Sequence, residues 1–373
     1  MIGDKRIITP DGLQNLIDIL IATGRRILGP VSREGVIVYD YIDSIDDFPV
    51  GLTDEQIPGG YRLKDAPEAS YFGFSVGPHT WKKFLHSPRI ELWRAQREGE
   101  RLTISAGDVS DEAYAFIGVR ACELSAIVKQ DRVLMGGDYI DVHYKTRREN
   151  ALLIAVNCNK AGGSCFCASM NSGPEVKDNF DLALTELWIE KEHLFLIEIG
   201  SPAGQQLIQQ VASRLASGPE IEMAQAIVAA TAQTMSKTMP AEVDVPKLLT
   251  DNLLHPRWQA VAERCLSCAN CTMVCPTCFC TTVDEISDLA QESFARERRW
   301  DSCFTSDFSY LHGGGVRNSV ASRYRQWMTH KLSTWVEQFG SSGCVGCGRC
   351  ITWCPVGIDI TEEVRAIAGA DAS

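Results

Sequence analysis

The spacing of apolar residues divides the chain into elements before any chemistry is considered. Leu13, Leu16, Ile17, Leu20 and Ile21 recur at helical spacing between Asp11, which can cap the segment, and Gly24, which can end it. GVIVYDY from Gly35 reads as a strand, and the Gly/Pro/Asp-rich DDFPVGL and QIPGG that follow read as loop. HTWKKFLH, from His79 to His86, has helical spacing; Trp81, Phe84 and Leu85 are expected in the core and both histidines in structural roles. From Ala113 the pattern becomes strand, turn, helix: AYAFIGV, then Arg120-Ala121-Cys122-Glu123, then the amphipathic LSAIVKQDRVLM. NALLIAVNC from Asn150 and LFLIEIG from Leu194 are two further buried strands. Pro202 to about Met239 reads as helix, Pro240 to Pro246 as a linker, and Pro256 to Glu263 as a short helix.

This alternation predicts an α+β protein: a mixed α/β domain over residues 1–240, then a mostly helical domain over 250–373. Helical patterns are expected from Asp284 to Glu297 and from Asn318 to about Phe339. The second has Tyr324, Trp327, Met328, Leu332, Trp335 and Phe339 on its apolar side. A length of 373 residues suits two domains.

The cysteines change this picture most. There are fifteen, and eleven lie between Cys265 and Cys354. The N-terminal MIGDKRIITPDG has no apolar segment of the signal-peptide kind, and the longest apolar runs have strand length. A cytoplasmic protein whose thiols are metal ligands, not disulfides, is the expectation. The net charge of −12 disfavours nucleic acid as a partner.

CLSCANCTMVCP from Cys265 and CVGCGRCITWCP from Cys344 both follow C-x₂-C-x₂-C-x₃-C-P. That is the run with which bacterial ferredoxins hold [4Fe–4S] clusters, the last cysteine of each run serving the other cluster. Carried onto this chain, one cluster takes Cys265, Cys268, Cys271 and Cys354, and the other takes Cys344, Cys347, Cys350 and Cys275. Pro276 and Pro355 turn the chain away, and Gly343, Gly346 and Gly348 let backbone approach the sulfurs. Zinc is the competing reading, but four cysteines per run in this order do not follow a zinc-ribbon pattern. The 68 residues between the runs resemble an insert of the helical dicluster ferredoxin domains found in multi-subunit oxidoreductases.

Seven cysteines remain. Cys122 and Cys158 follow predicted strand ends, and Cys165 and Cys167 lie in the glycine-bearing GGSCFC, so these four are candidates for a third [4Fe–4S] cluster. Unrelated buried thiols or zinc are the blander readings. Cys278, Cys280 and Cys303 are either three ligands of another cluster or thiols packed as small hydrophobes, and the second reading is favoured.

VRACELSAIVKQDRV, NCNKAGGSCFC, CPTCFCTTVDE, RRWDSCF and GCVGCGRCITWCPVGIDI together resemble the beta subunit of cytoplasmic [NiFe]-hydrogenases of the sulfhydrogenase type. The A subunit of anaerobic sulfite reductase is similar. The resemblance covers roughly residues 70–373. It implies an electron relay in a hetero-oligomer, with hydrogenase large and small subunits and a gamma subunit carrying FAD and the NAD(P)H site. No G-x-G-x-x-G or G-x-x-x-x-G-K-[ST] occurs, which agrees with a nucleotide site on another subunit. No catalytic residue is expected in this chain. A sulfite reductase subunit is the nearest alternative. An iron–sulfur redox sensor would need a DNA-binding element, for which the acidic chain offers no helix-turn-helix pattern.

Overall fold

The computed structural model describes residues 1–290 and 292–369. Its N-terminal half is built on an eight-stranded mixed sheet. In spatial order the strands are Arg214–Leu215, Lys5–Ile8, Glu192–Ile199, Leu182–Ile189, Leu152–Val156, Tyr114–Arg120, Arg26–Arg33 and Val36–Tyr41. The four central strands, from Leu182–Ile189 to Arg26–Arg33, run parallel to one another, and the strands outside them pair antiparallel. Every residue of Tyr114–Arg120 and Leu152–Val156 is buried, as expected for parallel strands covered on both faces. The helices Pro10–Ala22 and Ala121–Leu134 supply apolar faces to this core.

Several sequence expectations hold. The helix at residues 10–22, the strands at 36–41, 114–120, 152–156 and 192–199, and the helix at 121–134 all form. Trp81, Phe84 and Leu85 are core residues. The first helix is capped by Thr9, whose Oγ1 accepts from Gly12 N–H, and not by Asp11; Pro10 at its first turn sets the entry.

Four expectations are corrected. The segment from Asp284 to Glu297 is not a helix. Thr281–Ser287 and Ser293–Trp300 form an antiparallel hairpin, and the second strand pairs with Arg89–Glu98, itself paired with Arg101–Ala106. Thr281, Thr282, Val283 and Ile286 suit a strand, and an available sheet edge overrides the helical periodicity. The dicluster part is therefore not mostly helical, since this hairpin interrupts it. Pro202–Met239 is two helices, Pro202–Ile208 and Gly218–Gln233, separated by a two-residue strand. The QIPGG stretch is the tip of a hairpin, Leu52–Ile57 and Gly60–Asp65, not loop alone.

The four-stranded sheet takes two strands from residues 89–106 and two from 281–300, so it ties the two halves of the sequence together. The helical segment from Val320 to Phe339 forms as expected. Its middle, His330–Thr334, opens into a π-turn, and Tyr324, Trp327, Met328, Leu332 and Trp335 are buried. No helix among the described residues is long and apolar enough to cross a membrane.

Candidate iron–sulfur sites

Each ferredoxin-like run folds as a loop closed by a single helical turn, Asn270–Met273 in the first and Arg349–Thr352 in the second. Two positions in each loop take the left-handed conformation. They are Ser267 (φ 50°) and Ala269 (φ 65°) in the first, and Gly346 (φ 62°) and Gly348 (φ 73°) in the second. The repeat is therefore structural as well as sequential. The glycines of the second run have a further cause. A Cβ on Gly348 would lie 2.2 Å from the Ser164 carbonyl oxygen, and one on Gly346 would lie 2.7 Å from the Cys167 backbone. Only glycine satisfies both the left-handed turn and this approach.

The thiols gather in the groups that cross-pairing of the runs requires. Burial, then Cys265, Cys354 and Cys268, push the Cys271 thiol well above its ordinary range. Cys265, Cys268, Cys271 and Cys354 also line one small cavity of about 30 Å³, to which Cys350 of the second run contributes as well. Burial, then Cys344, Cys347 and Cys275, push Cys350 up. Cys275 thus acts on a thiol of the second run although it ends the first, and Cys354 on one of the first although it ends the second; Cys275 also acts on Cys271, and Cys271 on Cys350, so the two groups adjoin. Burial and crowding hold these thiols protonated on their own, and a bound cation would take them as thiolates. Among the described residues, no three His, Cys, Asp or Glu side chains are drawn together tightly enough to chelate one metal ion, so these groups are looser than a single-ion site requires.

Hydrogen-bond donors reach the sulfurs. Gly346 N–H donates to Cys344 Sγ at 3.4 Å, and Thr277 Oγ1 lies 3.1 Å from Cys275 Sγ. Lys331, on the π-turn, places its Nζ 3.3 Å from Cys275 Sγ and 3.6 Å from Cys278 Sγ. The π-turn also frees the Lys331 carbonyl, which accepts from Gly343 N–H at 2.7 Å and so seats the start of the second run. A hydrogen bond from Cys278, then Lys331, hold Cys275 well below the usual thiol range against the effect of burial.

The four N-terminal cysteines converge too. Cys122 lies in the first turn of the helix that follows Tyr114–Arg120, and Cys158 lies just past Leu152–Val156. Both are at carboxyl ends of adjacent parallel strands. Burial, then Cys158 and Cys347, push Cys165 up to about 12. Burial, then Cys167 and Cys347, push Cys122 well above its usual range, and Cys165 and Cys158 act on Cys167 in the same sense. Cys347 of the second run is thus a neighbour of this group as well as of its own; Cys165 Sγ lies 3.9 Å from the Cys347 carbonyl oxygen.

Sequence reasoning missed the cations and the carboxylate that hold these loops. Arg349 inside the second run donates through Nη2 to Glu123 Oε1 at 2.7 Å and through Nε to the Gly77 carbonyl at 3.0 Å. Glu123 Oε2 also accepts from Trp81 Nε1 at 3.0 Å and from the Tyr39 hydroxyl. Arg120 donates to the carbonyls of Phe72 and Phe74. The hairpin tip at residues 57–60 docks on the second run, where Gly59 N–H donates to the Ile351 carbonyl at 3.1 Å. Only the burial of Glu123, which the sequence does not show, calls for a charged partner there.

Residues 264–358 match the family of 4Fe-4S dicluster domains. This chain carries a 4Fe-4S dicluster domain. Along most of its length it is also similar to the sulfhydrogenase 2 subunit beta of Pyrococcus furiosus, at 27% identity over 346 residues, covering 91% of this chain and 92% of that one. The similarity extends far beyond the dicluster domain and includes the segment holding Cys122, Cys158, Cys165 and Cys167. The domain and the similarity together support an iron–sulfur role in an oxidoreductase assembly.

Proposed function

We propose that this chain is the iron–sulfur electron-transfer subunit of a multi-subunit cytoplasmic [NiFe]-hydrogenase, relaying electrons between the hydrogenase module and a subunit that binds flavin and NAD(P)H. What supports the reading is that thiols of the two runs act on one another across the runs, Cys354 on Cys271 and Cys275 on Cys350, as cross-paired ligand sets require. In this reading the eight thiolates of the two runs hold two [4Fe–4S] clusters, and Cys122, Cys158, Cys165 and Cys167 hold a third. Residues 1–240 are the scaffold of the third site and residues 250–373 that of the pair.

A bound cluster supplies one-electron chemistry. The chain's own residues do the rest. Thr277, Lys331 and the Gly346 N–H direct positive ends of dipoles or charge at sulfur, which favours the reduced state. The buried Arg349–Glu123 pair fixes the second run against the helix that carries Cys122, and so fixes the placement of one thiol group relative to another.

The test is purification of the native assembly with metal analysis. Nickel in the complex, together with H₂-dependent NAD(P)⁺ reduction that is lost when this chain is deleted, is the expected result. A sirohaem partner and no nickel would instead assign the chain to a sulfite reductase.

A further inference from the structure

Cys278, Cys280 and Cys303 belong to none of the three thiol groups described above, yet they are not scattered. All three line one cavity of about 370 Å³ between the segment 278–281 and the helix Val320–Thr329 with its π-turn. Cys278 and Cys275 both lie within reach of the Lys331 Nζ, at 3.6 and 3.3 Å. The lining contains no carboxylate and is rich in donors. Lys331 Nζ points at Cys278 Sγ from 3.6 Å. The indole N–H groups of Trp327 and Trp335, both on the cavity wall, are buried without an acceptor. Just behind, Lys82 is buried, with its Nζ 3.1 Å from the Cys278 carbonyl oxygen and 4.0 Å from the centre of the Trp300 ring; among the described residues no carboxylate pairs with it or with Lys331. Buried donors and ammonium groups call for an anion, and buried N–H groups left without an acceptor are costly. Three thiols are the soft donors of such a site.

We propose that this cavity binds a further iron–sulfur cluster, of the [4Fe–4S] class, through the thiolates of Cys278, Cys280 and Cys303. It is anionic overall, which suits the Lys331 ammonium beside Cys278. Three thiolates serve three irons. Among the described residues, His330 in the same lining would offer a neutral nitrogen to the fourth iron. The site adjoins the second run through Lys331, whose Nζ reaches both Cys275 Sγ and Cys278 Sγ. Packing as small hydrophobes, the blander expectation for these three residues, does not account for a donor-lined cavity in front of them.

The inference rests on the reading that the two runs hold clusters, and the experiment separates the two. The full-length chain is purified and reconstituted with iron and sulfide under argon. Iron and acid-labile sulfide per chain are measured for the wild type, Cys303→Ser and Cys280→Ser. The expected result is a loss of about four irons and four sulfides in each variant, with the remaining iron unchanged. A second measurement does not depend on the variants folding. Wild-type protein is alkylated with iodoacetamide before and after chelation of iron, and modified cysteines are located by mass spectrometry; Cys278, Cys280 and Cys303 are expected to be protected until iron is removed. Equal iron in wild type and variants, alkylation of these three residues while all iron is retained, or one zinc in their place would each overturn the proposal and leave the dicluster reading intact. A wild-type chain that takes up no iron would overturn both.

Discussion

Arg349 and Glu123, 226 residues apart in sequence, meet as a buried ion pair with Nη2 and Oε1 2.7 Å apart. One lies between two cysteines of the second run and the other is next to Cys122. A pair this deep is costly to break from one side, because the survivor keeps its charge without compensation. Glu123→Gln leaves Arg349 in that state. It is expected to lower stability by about 3 kcal/mol, read from urea denaturation followed by circular dichroism under argon. An unchanged midpoint would mean that the pair does not hold the halves together.

The two runs respond differently to a methyl group. Gly348→Ala forces alanine into the left-handed region and drives its Cβ into the Ser164 carbonyl. The backbone alone costs about 1–2 kcal/mol, and the clash adds to it, so reduced iron content and a lower melting temperature are expected. Ala269, at the matching position of the first run, already adopts φ 65° as an alanine, packed against the apolar core of that region. Ala269→Gly is expected to stay within about 1 kcal/mol of wild type, since relief of strain is offset by the freer unfolded chain. Iron analysis and thermal melting of both variants check the contrast.

Lys331 puts a buried positive charge 3.3 Å from the Cys275 sulfur. Reduction adds negative charge nearby, so the ammonium favours the reduced state. Lys331→Met is expected to lower the reduction potential of the cluster on the second run, on the order of 100 mV at an effective dielectric of about 20. Lys331→Arg should recover most of it. Potentiometric titration followed by electron paramagnetic resonance measures the shift, and an unchanged potential in the methionine variant contradicts the role.

His86 supplies a pH test. It is fully buried, has no hydrogen-bond partner on either ring nitrogen, and stacks on Trp300. Burial, then Arg298 and Lys82, lower its pKa to about 4. A folded-state pKa below the unfolded value of 6.5 means that the unfolded state binds the proton more readily. His86 therefore leaves stability unaffected above pH 6.5 and removes it as the pH falls from 6.5 towards 4. The loss approaches about 3 kcal/mol at the bottom of that window. His86→Gln should flatten this part of the stability–pH curve; an identical acid slope in both proteins would contradict the assignment.

The cysteine spacing and the buried strands were legible because each depends on short-range patterns. The thiol groups follow from the repeat, and Cys122 and Cys158 from the rule that sites gather at carboxyl ends of parallel strands. The hairpin at 281–300 was not legible. Its pairing partner, Arg89–Glu98, lies nearly two hundred residues upstream, and an isolated reading of Asp284 to Glu297 sees only a compatible helical period. The same distance hid the supports of the site. Lys331 reads as the polar neighbour of Leu332 on an amphipathic helix, and only the π-turn at His330–Thr334 swings it onto Cys275. Arg349 reads as a loop residue until Glu123 is placed against it.

The central claim, that this chain is an iron–sulfur electron carrier, is tested most directly on the chain itself. Purified anaerobically, it is expected to be brown, to contain iron and acid-labile sulfide in equal amounts, and to bleach on reduction with dithionite as paramagnetic signals of reduced [4Fe–4S] clusters appear. Cys354→Ser should remove the cluster of the first run and leave that of the second. A colourless protein containing zinc and no iron, silent on reduction, would contradict the account.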